Sequence, residues 1–229
     1  MSSLEPRPNR SRPRPAWIAT LAALVVAAGM APTTPRALFD GKTLDGWKKA
    51  DFTRAGAVRV EDGRIVLGAG EPITGITTTR TDFPRTNYEL TYEAMRVEGE
   101  DFFAAATFPV GKSCITLVNG GWHGFVTGLS SLDGMDASEN ETTTSVPFEN
   151  KKWYRFRVRV TDAAIRCWID DKEIIAVEHA EKHVGTRVET RPCEPLGFAA
   201  WRTTGAIRSI AVRPLTPAEI TATNKDLDR

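Results

Sequence analysis

From residue 58 to residue 212, apolar and polar positions alternate with a period of two in short runs bounded by Gly, Pro, Asn and Asp. Successive side chains on a strand point to opposite faces, so this pattern predicts half-buried strands. Tyr88, Leu90, Tyr92 and Ala94 alternate with Glu89, Thr91 and Glu93. Tyr154, Phe156, Val158 and Val160 alternate with Trp153, Arg155, Arg157 and Arg159. Segment 58–67 turns back at Asp62-Gly63, a hairpin signal. Segment 114–118 pairs, through the tight-turn signal Asn119-Gly120-Gly121, with a strand starting near Trp122. Segment 165–169 returns through Asp170-Asp171-Lys172 to 174–177, and strands over 102–108, 196–201 and 207–212 complete the set. Roughly eleven to thirteen strands at this spacing predict an all-β sandwich of two antiparallel sheets. One helix is signalled, where Thr216-Pro217-Ala218-Glu219 combines a capping box with proline at the first helical position.

The first residues break the pattern. Arg7, Arg10, Arg12 and Arg14 precede an apolar run over 16–28, and small residues follow at Ala27, Ala28, Gly29 and Ala31. This is the layout of a secretory signal peptide. The run falls short of the ~20 residues that span a bilayer, so no stable membrane insertion is expected after cleavage. The chain divides into a signal peptide at 1–31, a linker at 32–37, a sandwich domain at 38–214 and a C-terminal helix or tail at 215–229. Its expected location is secreted or periplasmic.

Composition adds limits. The 229 residues are 41% hydrophobic, enough for one full core. The net charge of +1 has both signs interspersed, which argues against nucleic acid as a partner. Cys114, Cys167 and Cys193 allow one disulfide at most, and Cys167, inside an alternating apolar run, reads as core. Neither a CxxC pair nor a His/Cys cluster occurs, so no metal ligands are assigned. Arg155, Arg157 and Arg159 read as a solvated strand face. Trp153 and Trp168, set in regular strands, read as packing residues, and His179 and His183 as surface.

Segment 119–147 does not suit a core. It is punctuated by glycine and holds Asp133, Asp136, Glu139 and Glu141 in one loop. These four carboxylates, with His123, are the candidate catalytic groups. Trp122 and Trp201 are candidate platforms, because aromatic rings pack on the C–H faces of sugars, and Asn140 and Arg202 are candidate hydrogen-bonding partners. The expected ligand is an oligosaccharide or glycoside. A divalent cation is possible, and no cofactor is assigned.

At Leu38-Phe39-Asp40-Gly41-Lys42-Thr43-Leu44-Asp45-Gly46-Trp47 the sequence resembles the opening of the 3-keto-disaccharide hydrolase family. The resemblance continues in order through Val60-Glu61-Asp62-Gly63-Arg64-Ile65, the strand at Tyr88, Trp153-Tyr154-Arg155, Trp168-Ile169-Asp170-Asp171 and Ile207-Arg208-Ser209-Ile210-Ala211-Val212. It implies a concanavalin-A-like jelly roll, secretion, and cleavage of glycosides whose C3 hydroxyl has been oxidised to a ketone. This chain departs from the family where an Asn-Ser-Gly strand ending in Phe-Arg and a strand bearing Glu and Asp are usual. Residues 101–106 and 114–119 lack that Arg and Glu, and the acids lie instead in the 133–141 loop.

A 3-ketone acidifies the C2 hydrogen, so a base, an enolate-stabilising group and an acid would serve elimination of the C1 oxygen. Direct hydrolysis would need two carboxylates flanking the bond. The alternatives to an enzyme are a non-catalytic carbohydrate-binding module and a laminin-G-like adhesion domain with calcium in a loop.

Overall fold

The computed structural model describes residues 34–225 and Leu227. The signal-peptide segment 1–31 and the start of the linker lie outside the described residues. Among the described residues fourteen strands make two sheets, and every pairing is antiparallel. They are β1 (Arg36–Ala37), β2 (Trp47–Lys49), β3 (Val58–Glu61), β4 (Arg64–Leu67), β5 (Ile73–Thr78), β6 (Tyr88–Glu98) and β7 (Ala105–Val110), then β8 (Ser113–Gly120), β9 (Val126–Ser130), β10 (Trp153–Val160), β11 (Ala164–Ile169), β12 (Lys172–Glu178), β13 (Gly197–Trp201) and β14 (Thr204–Pro214). The larger sheet runs β12-β11-β10-β6-β14-β4-β3, with β1 also on β14, and the smaller runs β2-β5-β13-β7-β8-β9. The fold is a sandwich of two antiparallel sheets, as the alternation predicts, and a jelly roll, as the family resemblance implies.

The inward rows fill the space between the sheets. Phe156 and Tyr92 sit directly opposite in register, and their rings stack with centroids 4.8 Å apart. Phe198 of the smaller sheet meets the edge of Tyr92 at 4.9 Å. The Tyr88 hydroxyl donates to the Pro109 carbonyl at 2.7 Å, a bond from one sheet to the other that satisfies a buried polar group. Phe39 and Trp47 are buried and Leu44 packs against the same core, so the opening motif is pinned onto the sandwich. All three cysteines are free and buried, and burial pushes each thiol above its ordinary value. The capping box is present, but the helix spans only Pro217–Thr223.

Four local expectations are corrected. Strand β7 begins at Ala105 rather than Phe102, because Phe102 turns its ring onto Trp201 with centroids 6.0 Å apart. Asn119 and Gly120 remain in strand β8, so the reversal comes two residues later than the Asn-Gly signal. His179 is buried, its Nε2 3.0 Å from the Thr161 carbonyl. Trp153 and Trp168 do pack, but on the outer face of the larger sheet and beneath arginines, with guanidinium carbons 4.1 and 4.2 Å from the ring centroids.

Candidate functional site

Along β8, Ile115 and Leu117 enter the core, so Thr116 and Val118 face outward. Ser130 lies opposite Thr116 in register, and Trp201 closes β13 nearby. These outward residues floor a cleft of about 250 Å³ on the smaller sheet. Its walls are Phe102, Trp122 and Trp201, with His123, Asp101, Arg187 and Glu189 supplying the polar groups.

Trp122 and His123 sit on a strained turn between β8 and β9. Both have positive φ, 50° and 58°, between Gly120 at 71° and Gly124 at 90°. Each left-handed non-glycine residue costs roughly 1 kcal/mol or more, so the surroundings must hold it. Asp101 does so: its Oδ2 accepts from the His123 amide at 3.1 Å, and its Oδ1 from the Phe102 amide at 2.8 Å. One carboxylate thus fixes both the His123 backbone and a wall. The His123 Nδ1 lies 2.9 Å from Glu100 Oε1, and Nε2 makes no hydrogen bond among the described residues.

The opposite wall is built on Arg187. Its guanidinium bonds Glu189 at 2.8 and 3.1 Å and Asp136 at 2.6 Å, and stands 6.0 Å from the Trp122 ring centroid. The bidentate pair with Arg187 holds the Glu189 carboxyl below its usual range and raises Arg187. In the floor, the hydroxyls of Thr107, Thr116 and Thr190 form a chain with links of 2.9 and 3.0 Å. The Ser130 hydroxyl is buried against the cleft and has no partner among the described residues. A buried hydroxyl left unpaired is costly, so it is suited to a ligand hydroxyl.

The structure brings Trp122, His123 and Trp201 together in the cleft. Asp136 reaches it only through Arg187. Asp133 is held by the segment after β12, accepting from the His183 amide at 2.7 Å. Glu139 is exposed. Glu141 pairs with Lys182 at 2.9 Å, and that bond lowers its carboxyl. Asn140 is buried and its side chain is spent inside the loop: Nδ2 donates to the carbonyls of Leu129, Met135 and Asp136, and Oδ1 accepts from Thr142. Arg202 is exposed and outside the cleft lining. Sequence reasoning missed Glu100, Asp101, Phe102, Arg187, Glu189 and Ser130. Only the alternation of Arg187 and Glu189 about Val188 signalled a pair, since the others join the site by tertiary contact. Among the described residues, no group of three or more His, Cys, Asp or Glu is placed to hold a metal ion. Likewise, no helix among them is long and apolar enough to cross a membrane.

Four large apolar side chains are exposed among the described residues: Trp122, Phe125, Met135 and Val188. Trp122 walls the cleft; Phe125 closes the same turn; Val188 lies between Arg187 and Glu189; Met135 adjoins Asp136.

The site is an aromatic-walled cleft with convergent polar groups on a jelly-roll sandwich, and the family match makes this a carbohydrate-related domain. Residues 34–213 match the family described as the 3-keto-alpha-glucoside-1,2-lyase-like domain, and the chain belongs to that family. No curated protein sequence matches it. Among solved structures it is similar to domain 4 of AbnA, an extracellular GH43 arabinanase from Geobacillus stearothermophilus, in complex with arabinotriose; the TM-score is 0.53 at 17% identity, covering 85% of this chain and 98% of that one. It is also similar to the Crh5 transglycosylase in complex with NAG, with a TM-score of 0.55 at 13% identity, covering 82% and 86%. At these identities the likeness is one of fold.

Proposed function

We propose that the cleft binds a 3-keto glycoside and breaks its glycosidic bond by elimination, in a protein that acts after secretion. The observation that carries this reading is the convergence of Trp122, Phe102 and Trp201 on an imidazole anchored at its far nitrogen by Glu100. A sugar packed against the aromatic walls places its C2 hydrogen toward His123 Nε2, which takes the proton. The C2–H pair forms the C1–C2 double bond, and the C1–O pair leaves with the aglycone oxygen, which takes a proton from water. The products are an enone and a free hydroxyl compound. Asp101 holds the geometry, and the unpartnered Ser130 hydroxyl orients the ring.

A second reading is a carbohydrate-binding module. It is favoured by the loop acids, of which Asp133 and Glu141 are turned to partners away from the cleft. One experiment separates the two. Purified protein is incubated with 3-keto and ordinary glucosides, with and without chelator, and both binding and products are followed. Turnover of the 3-keto compounds alone is expected. Binding of both without any turnover would leave the module reading standing, and loss of turnover in chelator would bring a cation into the reaction.

A further inference from the structure

The outer face of the larger sheet carries charged rows that cross the strands. One is Arg155, Glu93 and Arg208, in register across β10, β6 and β14. Another is Arg166, Arg159, Glu89 and Arg213. Between them runs a different row: Trp168, Arg157, Thr91 and Ala211. Thr91 and Ala211 are small, and a bulge between Arg208 and Ala211 puts Ser209 at a φ of 54°. The low middle row leaves a trough of about 280 Å³, lined by Thr91, Glu93, Arg155, Arg157, Trp168 and Ser209, with Asp171 at its edge.

Each guanidinium of the flanking rows bonds at least one carboxylate. Arg155 pairs with Asp171, Arg208 with Glu93, Arg159 with Glu89, Arg213 with Glu89 and Glu219, and Arg166 with Glu173. Arg157 is different. Its guanidinium lies over the Trp168 ring at 4.2 Å, and no described residue accepts a hydrogen bond from it. The nearest carboxylate oxygen, on Glu89, is 4.0 Å away and already bonds Arg159 and Arg213. Stacking therefore fixes the fork while leaving its N–H groups unspent. The trough holds one preorganised cation whose N–H groups make no hydrogen bond among the described residues and whose ion pair is the long contact with the shared Glu89, and Ser209 and Thr91 line the trough beside it.

We propose that this trough is a second binding site, for an acidic saccharide. The carboxylate of a uronic-acid residue takes the Arg157 fork, and ring hydroxyls meet Ser209, Thr91 and the Asp171 carboxylate. Choosing a saccharide over other anions rests on membership of a carbohydrate-related family, not on the chemistry of the cleft. The cleft and the trough lie on opposite sheets, so one chain can hold both ligands and be tethered to an acidic glycan while the cleft works on another sugar.

The test is isothermal titration with trigalacturonic acid, with neutral galactotriose and with inorganic sulfate. The acidic trisaccharide binds, more weakly at high salt, and galactotriose does not bind at this site. Arg157→Gln weakens acid binding about tenfold or more, the loss of a charge-assisted bidentate contact. Arg157→Lys keeps the charge without the fork and falls between them, and melting curves confirm that both variants fold. Trp201→Ala, in the cleft, leaves acid binding unchanged. Equal binding by Arg157→Gln, equal binding of galactotriose, or loss of binding in Trp201→Ala overturns the proposal. Sulfate binding as tightly as the trisaccharide overturns its saccharide part.

Discussion

His123 has no carboxylate beside it in sequence that would mark it as a base. Its partner, Glu100, lies 23 residues earlier and meets it across the strained turn. Under the elimination reading, His123→Gln lowers kcat about 100-fold or more, the usual worth of a positioned base, with ligand affinity nearly unchanged. Ser130→Ala does the reverse, raising KM for substrates that carry the matching hydroxyl while kcat holds. Steady-state kinetics and titration of the two variants side by side check this split, and a shared loss of affinity in His123→Gln would sink the base assignment.

At the scale of elements, the C-terminal helix illustrates how a local signal becomes a tertiary clamp. Thr216 and Glu219 close the capping box, and Glu219 also pairs with Arg213 of β14 at 2.7 Å. The Arg213 bond, followed by bonds from Thr216, holds the Glu219 carboxyl at about 2, below the ordinary 4.5. A depressed folded value means that this stabilisation is full above about 4.5 and is lost as pH falls toward about 2. The melting temperature of the native protein therefore exceeds that of Glu219→Gln at pH 6, and the gap closes progressively between those values. A constant gap down to pH 2 contradicts it. Thr216→Ala costs about 1 kcal/mol by losing the cap. The loop at 131–147 shows the opposite case. Its acids suggested a working surface, yet Asn140 turns inward to stitch the loop, and Glu141 and Asp133 secure its edges.

For the molecule as a whole, the sandwich depends on close approach between its layers. A Cβ placed on Gly205 would stand 1.7 Å from the Phe103 carbonyl oxygen, where no side-chain rotation relieves it. Gly205→Ala is expected to abolish cooperative folding, read as loss of a melting transition by calorimetry. A variant that melts within a few degrees of the native protein would disprove the tight contact.

The two-residue period, the hairpin turns at Asp62-Gly63 and Asp170-Asp171 and the capping box were enough to specify an all-β sandwich with a C-terminal helix, because local sterics and face alternation act through near neighbours. They also placed Trp122, His123 and Trp201 among the candidates, since an aromatic amid glycines and a histidine beside it are visible in one dimension. The rest of the site was decided by tertiary structure. Register brought Ser130 opposite Thr116, and the strained turn carried His123 to Glu100 and Asp101. Arg187 reached Asp136 from 51 residues away. Which face a carboxylate points to, and which cation claims it first, depends on distances that sheet pairing alone creates. For that reason acids that looked alike along the 133–141 loop ended in different roles.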